Sequence, residues 1–305
     1  MSYEENNPPD IELNRIFRTL NLIFPDLSLS EVSFLYHGSY NVYSVKGKYI
    51  FRFPDKHFGN KKGGEMILYE VKVLNSLREH ISFKVPEPIF VSTKKEELYM
   101  GYERIEGRSL SLCIKDMTKS QKLGVAAQIG KILSELHSEN LISKVFPKAT
   151  FSMKSFELHW HNWFDKIEEI VFPILSESQK RWISNLFKKY FRNENNFKFH
   201  PSIAHCDFDT SNIIINPLNS QIQGVIDFEE AKFYDPSVDL LFFAQGKEFM
   251  NELFKNYEIY NYNDLKERMQ FFYDKMGFNY LVFGIENKMN ELIKFGISLL
   301  IKRME

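Results

Sequence analysis

The sequence predicts an α+β protein built from two lobes, a small β-rich lobe and a larger, mainly helical one. A chain of 305 residues is too long for one small core, which favours a division into parts of about 100 and 200 residues. Strand-like alternation of apolar residues fills the first third of the chain, whereas helical spacing prevails in the remainder. We therefore place the N-terminal lobe at residues 1–104 and the C-terminal lobe at residues 105–305.

The first hundred residues begin with a helix and continue as strands. An amphipathic helix is predicted at residues 11–24, where Pro25 ends it. The segment Gly38-Ser39-Tyr40-Asn41 is typical of the turn of a hairpin. Strands are predicted at residues 31–36, 42–45, 48–53, 85–91 and 98–107.

A second helix of the N-terminal lobe carries acidic side chains. From Gly64 to Leu77 apolar residues recur at helical spacing, and Glu70 lies on this segment. On the strand before it, Arg52 is the one cation between Tyr49 and Pro54. Without a functional context, Arg52 is interpreted as a surface cation and Glu70 as a solvated helix residue.

Beyond residue 110 the pattern becomes helical. An apolar stripe from Val125 to Leu136 has the spacing of a helix that faces the core. Ser176-Glu177-Ser178-Gln179 has the form of a capping box and predicts the start of another helix. His159 and His161 are two residues apart on a predicted helix, so their side chains point in different directions, which argues against a metal site there.

The most informative segment is His205-Cys206-Asp207-Phe208-Asp209-Thr210-Ser211-Asn212. A β-branched strand follows Asn212, then a turn at residues 216–220 and a second strand that ends before Asp227; this predicted hairpin brings Asn212 and Asp227 together. Phosphoryl transfer needs a carboxylate that orients the acceptor hydroxyl and oxygen ligands that hold Mg²⁺ against the phosphates, and this arrangement supplies both. The alternative is that Asp207 caps a turn and Asn212 hydrogen-bonds its own backbone.

These motifs resemble the aminoglycoside phosphotransferase and choline kinase relatives of the protein kinases. The resemblance extends from Gly38 to the C-terminal helices and is most specific at residues 203–240. It implies a bilobal protein-kinase-like fold in which Asp207 is the catalytic base and Asn212 and Asp227 are the Mg²⁺ ligands. It also implies structural roles for His205 and for the two acids of the Asp-Pro-x-x-Asp segment, Asp235 and Asp239.

The same resemblance assigns a site for ATP or GTP to the N-terminal lobe. Backbone N–H groups of the Gly38-Ser39 turn would cover the phosphates. Arg52 stands where the family usually has Lys, and Glu70 is its implied partner; a guanidinium can bind phosphate and carboxylate alike. The hinge that would bind the purine is implied at Tyr102, Glu103 and Ile105.

For the acceptor, the resemblance points in two directions. The chain length, the N-terminal lobe and residues 280–285 are most similar to 2''-type aminoglycoside phosphotransferases, whose polycationic substrates need an acidic cleft. Glu230 and Glu248 are the implied acidic contacts. Residues 230–232 and Arg52 are similar to macrolide phosphotransferases instead. We expect an aminoglycoside resistance enzyme first, a kinase for a macrolide or another metabolite second, and a non-catalytic kinase-like binding protein third.

Composition excludes several other classes of protein. A formal net charge of −1 argues against general binding to nucleic acid, which needs a concentrated excess of Lys and Arg. No apolar stretch reaches the roughly 18 residues of a membrane span, and the first residues have no signal-peptide pattern. Cys113 and Cys206 are too few for a disulfide framework. We therefore expect a cytoplasmic protein without a membrane or nucleic-acid partner.

Overall fold

The computed structural model describes residues 10–95 and 97–305. Contacts within the chain divide it into two compact units. The first unit contains residues 10–125 with Thr210–Ala231, and the second contains Ala126–Asp209 with Lys232–Glu305. Asn212 and Asp227 thus belong to the first unit and Asp207 to the second. The lobe boundary placed after residue 104 stays a prediction.

Strands form one large sheet and two small ones. The large sheet has five antiparallel strands in the order β1-β2-β3-β5-β4, and the small ones have the orders β6-β8-β9 and β10-β7. All strands predicted for the first hundred residues are confirmed, with shifts of a few residues at their ends. In chain order the strands are β1 (Val32–His37), β2 (Tyr40–Val45), β3 (Tyr49–Pro54), β4 (Pro88–Lys94), β5 (Glu97–Glu103), β6 (Arg108–Ser109), β7 (Ser202–Ala204), β8 (Ile213–Asn216), β9 (Gln221–Val225) and β10 (Lys232–Tyr234).

Helices dominate the second unit. The capping box predicted at Ser176 is confirmed, since the Gln179 side chain and backbone both bond with this residue. In chain order the helices are α1 (Asp10–Ile23), α2 (Gly59–Arg78), α3 (Leu110–Cys113), α4 (Lys119–Leu136), α5 (Glu139–Val145), α6 (Met153–Ile170), α7 (Glu177–Arg192), α8 (Lys247–Lys255), α9 (Tyr262–Asp274), α10 (Met276–Glu286) and α11 (Asn290–Met304). Over the described ranges, each helix is too short or too polar to cross a bilayer.

Apolar residues of α1 pack on the five-stranded sheet. Ile16 and Leu20 have no exposed surface and share a cluster with Tyr43 and Phe51 of the sheet. Strand β5 approaches β3 so closely that a Cβ atom at Gly101 would lie 2.7 Å from the Phe51 ring. Because this packing is dense, β3 is held firmly at the centre of the sheet. This is the strand that carries Arg52.

The hairpin predicted after Asn212 is confirmed. Strands β8 and β9 pair antiparallel, with Ile213 opposite Val225. Beyond the last pair of strand residues, the Ile226 N–H donates to the Asn212 carbonyl at 2.9 Å. The hairpin therefore ends with Asn212 and Asp227 on neighbouring segments of the backbone.

Aromatic side chains form the core of the second unit. Trp160 of α6 lies edge to face with Phe271 and Phe272 of α9, with ring centres 5.2 and 5.6 Å apart. Tyr190 of α7 stacks on Phe271 at 3.7 Å. Such ring pairs add to the free energy of burial and restrict the relative positions of the helices. Helices α6 and α9 are thereby fixed next to each other.

Candidate active site

A buried ion pair links the five-stranded sheet to helix α2. Arg52 lies on the central strand β3 and is only 3% exposed. Its Nη1 donates to Oε1 of Glu70 at 2.5 Å, and Glu70 has no exposed surface. The structure therefore brings together the pair that the sequence analysis proposed. A buried charge pair persists only when its geometry is good, so Arg52 is held rigidly.

Two further carboxylates meet the same guanidinium. Nη2 of Arg52 lies 2.7 Å from Oδ1 of Asp227 and 3.1 Å from Oε2 of Glu229. One cation thus faces three carboxylates, Glu70 included, and negative charge is in excess. Burial, opposed in part by Arg52, raises the pKa of Glu70 to about 7. Burial and the nearby Asp227 charge raise the pKa of Glu229 to about 8.

The turn between β1 and β2 is connected to this cluster. The Ser39 hydroxyl hydrogen-bonds the Glu229 carboxylate. Next to it, the Arg52 guanidinium carbon lies 4.1 Å from the centre of the Tyr40 ring, a cation–π contact. Gly38, the other turn residue of the sequence analysis, has open space where a side chain would project. The turn is thus placed against the cation through Ser39 and Tyr40.

Several polar atoms of the cluster have unused hydrogen-bonding capacity. Within the described ranges, the buried Nε of Arg52, Oε2 of Glu70 and the hydroxyl of Tyr40 have no hydrogen-bond partner. Leaving such atoms unpaired costs about 1–3 kcal/mol each. A buried donor on Arg52 without an acceptor fits a site where a phosphate group binds.

Asn212 and Asp227 are the two oxygen ligands that the sequence analysis assigned to Mg²⁺. Asn212 is buried at the start of β8, and Asp227 adopts a left-handed conformation with φ of 71° after β9. Asp and Asn tolerate this conformation better than most residues. Only Oδ1 of Asp227 bonds with Arg52, and Oδ2 makes no hydrogen bond to any residue the structure describes.

This pair fits magnesium that arrives with a nucleotide. Amide and carboxylate oxygens are ligands that Mg²⁺ accepts, and proteins often supply only one or two of them while phosphates and waters complete the octahedron. Among the described side chains, no three from His, Cys, Asp and Glu form a ready metal site. Asn212 and Asp227 are thus suited to a partial site of this kind, and their role as Mg²⁺ ligands stays a prediction.

In the second unit, the motif loop begins with two bonds to one carboxylate. The N–H groups of His205 and Cys206 donate to Asp239 at 2.7 and 2.8 Å. Oδ2 of Asp239 also lies 3.1 Å from Nε2 of the buried His137. Asp207 comes next in the chain, and its side chain is exposed. The Asp239 carboxylate therefore fixes the backbone immediately before Asp207.

Asp235 stabilises the segment that positions Asp239. Its Oδ2 accepts from Nε of Arg268 at 2.9 Å and its Oδ1 accepts from the N–H of Ser237 at 3.0 Å. Burial raises the pKa of Asp235, and Arg268 opposes this shift. The Asp-Pro-x-x-Asp segment is thus held at both of its acids.

The predicted hinge residues lie at the end of β5. Tyr102 is buried and opposite Ile50, whereas Glu103 is exposed and pairs with Lys48 at 3.0 Å. Ile105 follows in the connection to β6 and is half-buried. In this connection Gly107 has φ of 138°, and a Cβ atom there would lie 2.6 Å from a backbone oxygen of β8. The glycine is therefore required for the close approach of the chain to β8.

Some residues of the site carry no signal in the sequence, and Arg52 and Glu70 are buried although, without a functional context, they were expected at the surface. Tyr40 and His137 contact Arg52 and Asp239, respectively, although neither belongs to a motif. Glu229 had one available signal, its position two residues after Asp227. The implied acceptor contacts Glu230 and Glu248 are both exposed, and Glu248 lies in the first turn of α8.

A pH change is expected to alter stability through this cluster. The pKa is about 7 for Glu70 and about 8 for Glu229 in the folded state, against an ordinary value of 4.5. Between pH 4.5 and pH 8 the folded state therefore binds more protons than the unfolded state. Their contribution to stability is therefore fully present below about pH 4.5 and is lost as pH rises to about 8. Between these pH values, the unfolding free energy of the Glu229→Gln variant should fall by about 1–2 kcal/mol less than that of the wild type.

Urea denaturation with a chelator present, between pH 5 and pH 8, measures this effect. Glu230→Gln is the matched control because it removes the same charge from the exposed neighbouring residue. It should leave the pH dependence of the unfolding free energy unchanged. Equal pH dependence in the wild type and in Glu229→Gln would show that the Glu229 shift is absent.

The fold and the arrangement of these side chains define a kinase-like phosphotransferase class. Residues 31–272 match the sequence model described as the phosphotransferase enzyme family. The chain belongs to that family. No curated protein matches the chain in sequence.

Solved structures of similar fold include antibiotic phosphotransferases. One is the GDP and kanamycin complex of an APH(2'')-type enzyme, with a TM-score of 0.83 and 21% identity over 95% of this chain and 98% of that chain. The ADP-bound aminoglycoside phosphotransferase APH(2'')-Ib has a TM-score of 0.71 and 20% identity over 96% and 97% of the two chains. A macrolide 2'-phosphotransferase from Brachybacterium faecium has a TM-score of 0.70 and 13% identity over 96% and 98%. The predicted α+β, kinase-like fold is confirmed.

Proposed function

We propose that the protein is a Mg²⁺-dependent phosphotransferase that moves the γ-phosphoryl group of ATP or GTP to a hydroxyl of a small molecule. The observation that carries this proposal is Arg52, buried on β3, bound to Glu70 and Asp227, and left with an unpaired Nε. A rigid cation beside a metal-binding oxygen pair is the equipment that phosphoryl transfer requires.

On the donor side, each residue has one task. Arg52, held by Glu70, binds the phosphates of the nucleotide, and Ser39 offers its backbone N–H to them, whereas the Gly38 N–H already donates to the Tyr40 carbonyl at 3.0 Å. The hinge from Tyr102 through Glu103 to Ile105 binds the purine. Asn212 and Asp227 would hold Mg²⁺, which would supply positive charge against the phosphates.

On the acceptor side, Asp207 orients the hydroxyl and accepts its proton. The hydroxyl oxygen forms the new bond to the γ-phosphorus while the bond from that phosphorus to the bridging oxygen breaks, which leaves ADP or GDP. Asp239 and His205 keep the loop in place during this step. Correct positioning of this kind accounts for much of the acceleration in such reactions.

Aminoglycosides are the first acceptors to test, and we place the activity in the cytoplasm. Similar structures were solved with kanamycin, gentamicin and streptomycin. A macrolide or another metabolite is the second class, since a macrolide phosphotransferase shares the fold. Glu230 and Glu248 are the proposed contacts for a cationic acceptor.

Phosphoryl transfer to a panel of acceptors tests this function. We expect the wild type to phosphorylate at least one member of a panel of aminoglycosides, macrolides and hydroxylated metabolites, detected by mass spectrometry with ATP or GTP. Asp207→Asn should lower the rate about 10²–10⁴-fold, as expected on removal of a catalytic base. Asp209→Asn is the matched control, because this exposed acid lies two residues further along the same loop. Equal losses in both variants would contradict the role of Asp207.

A further inference from the structure

A lysine with unusual surroundings follows helix α9. Lys275 is half-buried, and its Nζ lies 4.9 Å from the Trp160 ring centre and 5.7 Å from that of Phe272. Trp160 is 2% exposed. The ammonium group therefore lies over two aromatic rings, and cation–π attraction compensates part of its lost hydration.

A second lysine borders the same aromatic residues. Lys232 on β10 is exposed, and its Nζ lies 4.7 Å from the Tyr234 ring centre. The Tyr234 ring in turn lies 6.3 Å from Phe272. Lys232 and Lys275 thus lie over two neighbouring rings, those of Tyr234 and Phe272.

The charges of the two lysines act on each other. Burial, together with the charge of Lys232, lowers the pKa of Lys275 to about 8. Burial and both lysines lower the pKa of His159, which precedes Trp160 on α6. The cluster of Lys232, Lys275 and His159 is called the basic cluster below.

The two ammonium groups form no ion pair with a carboxylate of residues 10–95 or 97–305. Among the residues that the structure describes, neither Nζ forms a hydrogen bond or an ion pair with an acid. The buried Nε1 of Trp160 is likewise a donor without an acceptor there. Two ammonium groups over neighbouring rings, without an acid as partner among the described residues, are suited to an anionic ligand.

The basic cluster lies beside the motif loop. Strand β10 pairs with β7 so that Lys232 is opposite Ala204, and β7 leads directly into the loop. The Cys206 side chain lies near both Lys275 and Tyr234, since a charged Cys206 thiolate would raise the pKa of each. Asp207 is the next residue. The cluster is therefore on the side of the protein where the acceptor hydroxyl is bound.

We infer that the acceptor of this phosphotransferase carries an anionic group, a carboxylate or a phosphate, which Lys232 and Lys275 bind while Asp207 engages the hydroxyl. The inference rests on the proposed function: it keeps phosphoryl transfer to a hydroxyl and puts anionic metabolites in place of aminoglycosides as the first class of acceptor. A polycationic aminoglycoside would bring positive charge to two lysines that lack a counter-ion, and this repulsion disfavours it. An anionic metabolite meets the cluster with complementary charge.

Equilibrium binding of matched sugars, without nucleotide, tests the inference. The probes are glucose, glucuronate, glucose 6-phosphate, glucosamine and kanamycin, each titrated by calorimetry into the wild type. We expect glucuronate or glucose 6-phosphate to bind at least about tenfold more tightly than glucose, the effect of one charged hydrogen bond. Glucosamine and kanamycin should bind more weakly than glucose. The two anions separate a carboxylate site from a phosphate site.

Substitution of Lys275 completes the test. Lys275→Met should abolish the preference for the anion, and Lys275→Glu should reverse it in favour of glucosamine. The control is Lys266→Met, which removes an exposed lysine that also lies over a ring, at 5.9 Å from Tyr262 on α9. It should change no affinity.

The inference is overturned if the wild type shows no preference for either anion over glucose, absence of binding included. It is overturned equally if the preference survives in Lys275→Met. The proposed function can fail separately: it requires nucleotide turnover that depends on Asp207, and these titrations contain no nucleotide. A protein that turns over nucleotide but prefers kanamycin would keep the function and lose the inference.

Discussion

Asp227→Asn should lower nucleotide turnover about 10²–10³-fold, the usual cost of removing a group that stabilises transition-state charge. The same substitution should raise the unfolding free energy of the metal-free protein by about 1 kcal/mol. Arg52 faces three carboxylates, so the removal of one charge relieves their repulsion. Asn also tolerates the left-handed φ of 71° at this position. We thus expect Asp227 to lower the stability of the metal-free protein and to supply a ligand to the proposed metal site.

Glu229→Gln is the matched control for Asp227→Asn. Above about pH 8, where Glu229 is charged, it removes an equal charge from the same guanidinium, and we expect a similar gain in the midpoint of urea denaturation. Its loss of turnover should be much smaller, because Glu229 is not one of the proposed metal ligands. Turnover losses of the same size in the two variants, or a loss of stability in Asp227→Asn, would contradict this account of the site.

Arg52→Met should lower the unfolding free energy by about 3–5 kcal/mol at pH 8, the cost of breaking a buried ion pair by removing one partner. Glu70 would be left fully buried and charged, and Asp227 and Glu229 would lose their shared cation. At pH 5 the loss should be smaller, since raised pKa values allow the glutamates to take up protons. Denaturation midpoints at the two pH values measure both effects.

The double variant Arg52→Met, Glu70→Gln separates charge from packing. If the unpaired charge of Glu70 causes most of the loss, the double variant should recover a substantial part of the stability at pH 8. Arg52→Lys should be intermediate, because one ammonium cannot contact Glu70 and Asp227 through two separate nitrogens. A fully stable Arg52→Met protein would show that the cluster contributes nothing to folding.

Local patterns were sufficient to predict the part of the site that lies in one stretch of chain. Strand patterns on both sides of the turn at residues 216–220 predict a hairpin. The paired strands of this hairpin bring Asn212 next to Asp227. The pairing of Arg52 with Glu70 followed from the family resemblance, and the structure shows the contact. The assignment of roles in catalysis to these residues remains a proposal.

Element boundaries were less accurate where glycine and proline are involved. Helix α2 begins at Gly59, five residues before the predicted start at Gly64, because Gly63 and Gly64 are tolerated where the helix packs close to Pro54 and Leu98. Strand β4 begins at Pro88 and not at Val85. Pro86 has no N–H to donate to the ladder of a sheet, whereas a proline is tolerated as the first residue of a strand, where Pro88 stands. These shifts depend on tertiary packing that the local sequence does not contain.

Contacts from distant segments could not be predicted. The Arg52 cluster includes Glu229, which is 177 residues away in the chain, and the basic cluster joins α6, β10 and the end of α9. No periodicity or motif predicts such contacts between distant segments. They follow from tertiary packing. Lys275 in particular has no sequence signal, because a lysine after a helix is normally a solvated residue.

Nucleotide turnover in the presence and absence of Mg²⁺ is the most direct test of the central claim. We predict that the wild type forms ADP from ATP or GDP from GTP, and that chelation of Mg²⁺ or the Asp207→Ala substitution reduces this rate to background. Turnover no greater than that of Asp207→Ala, with a folded protein and with both nucleotides supplied, would contradict the assignment of a kinase activity to this chain.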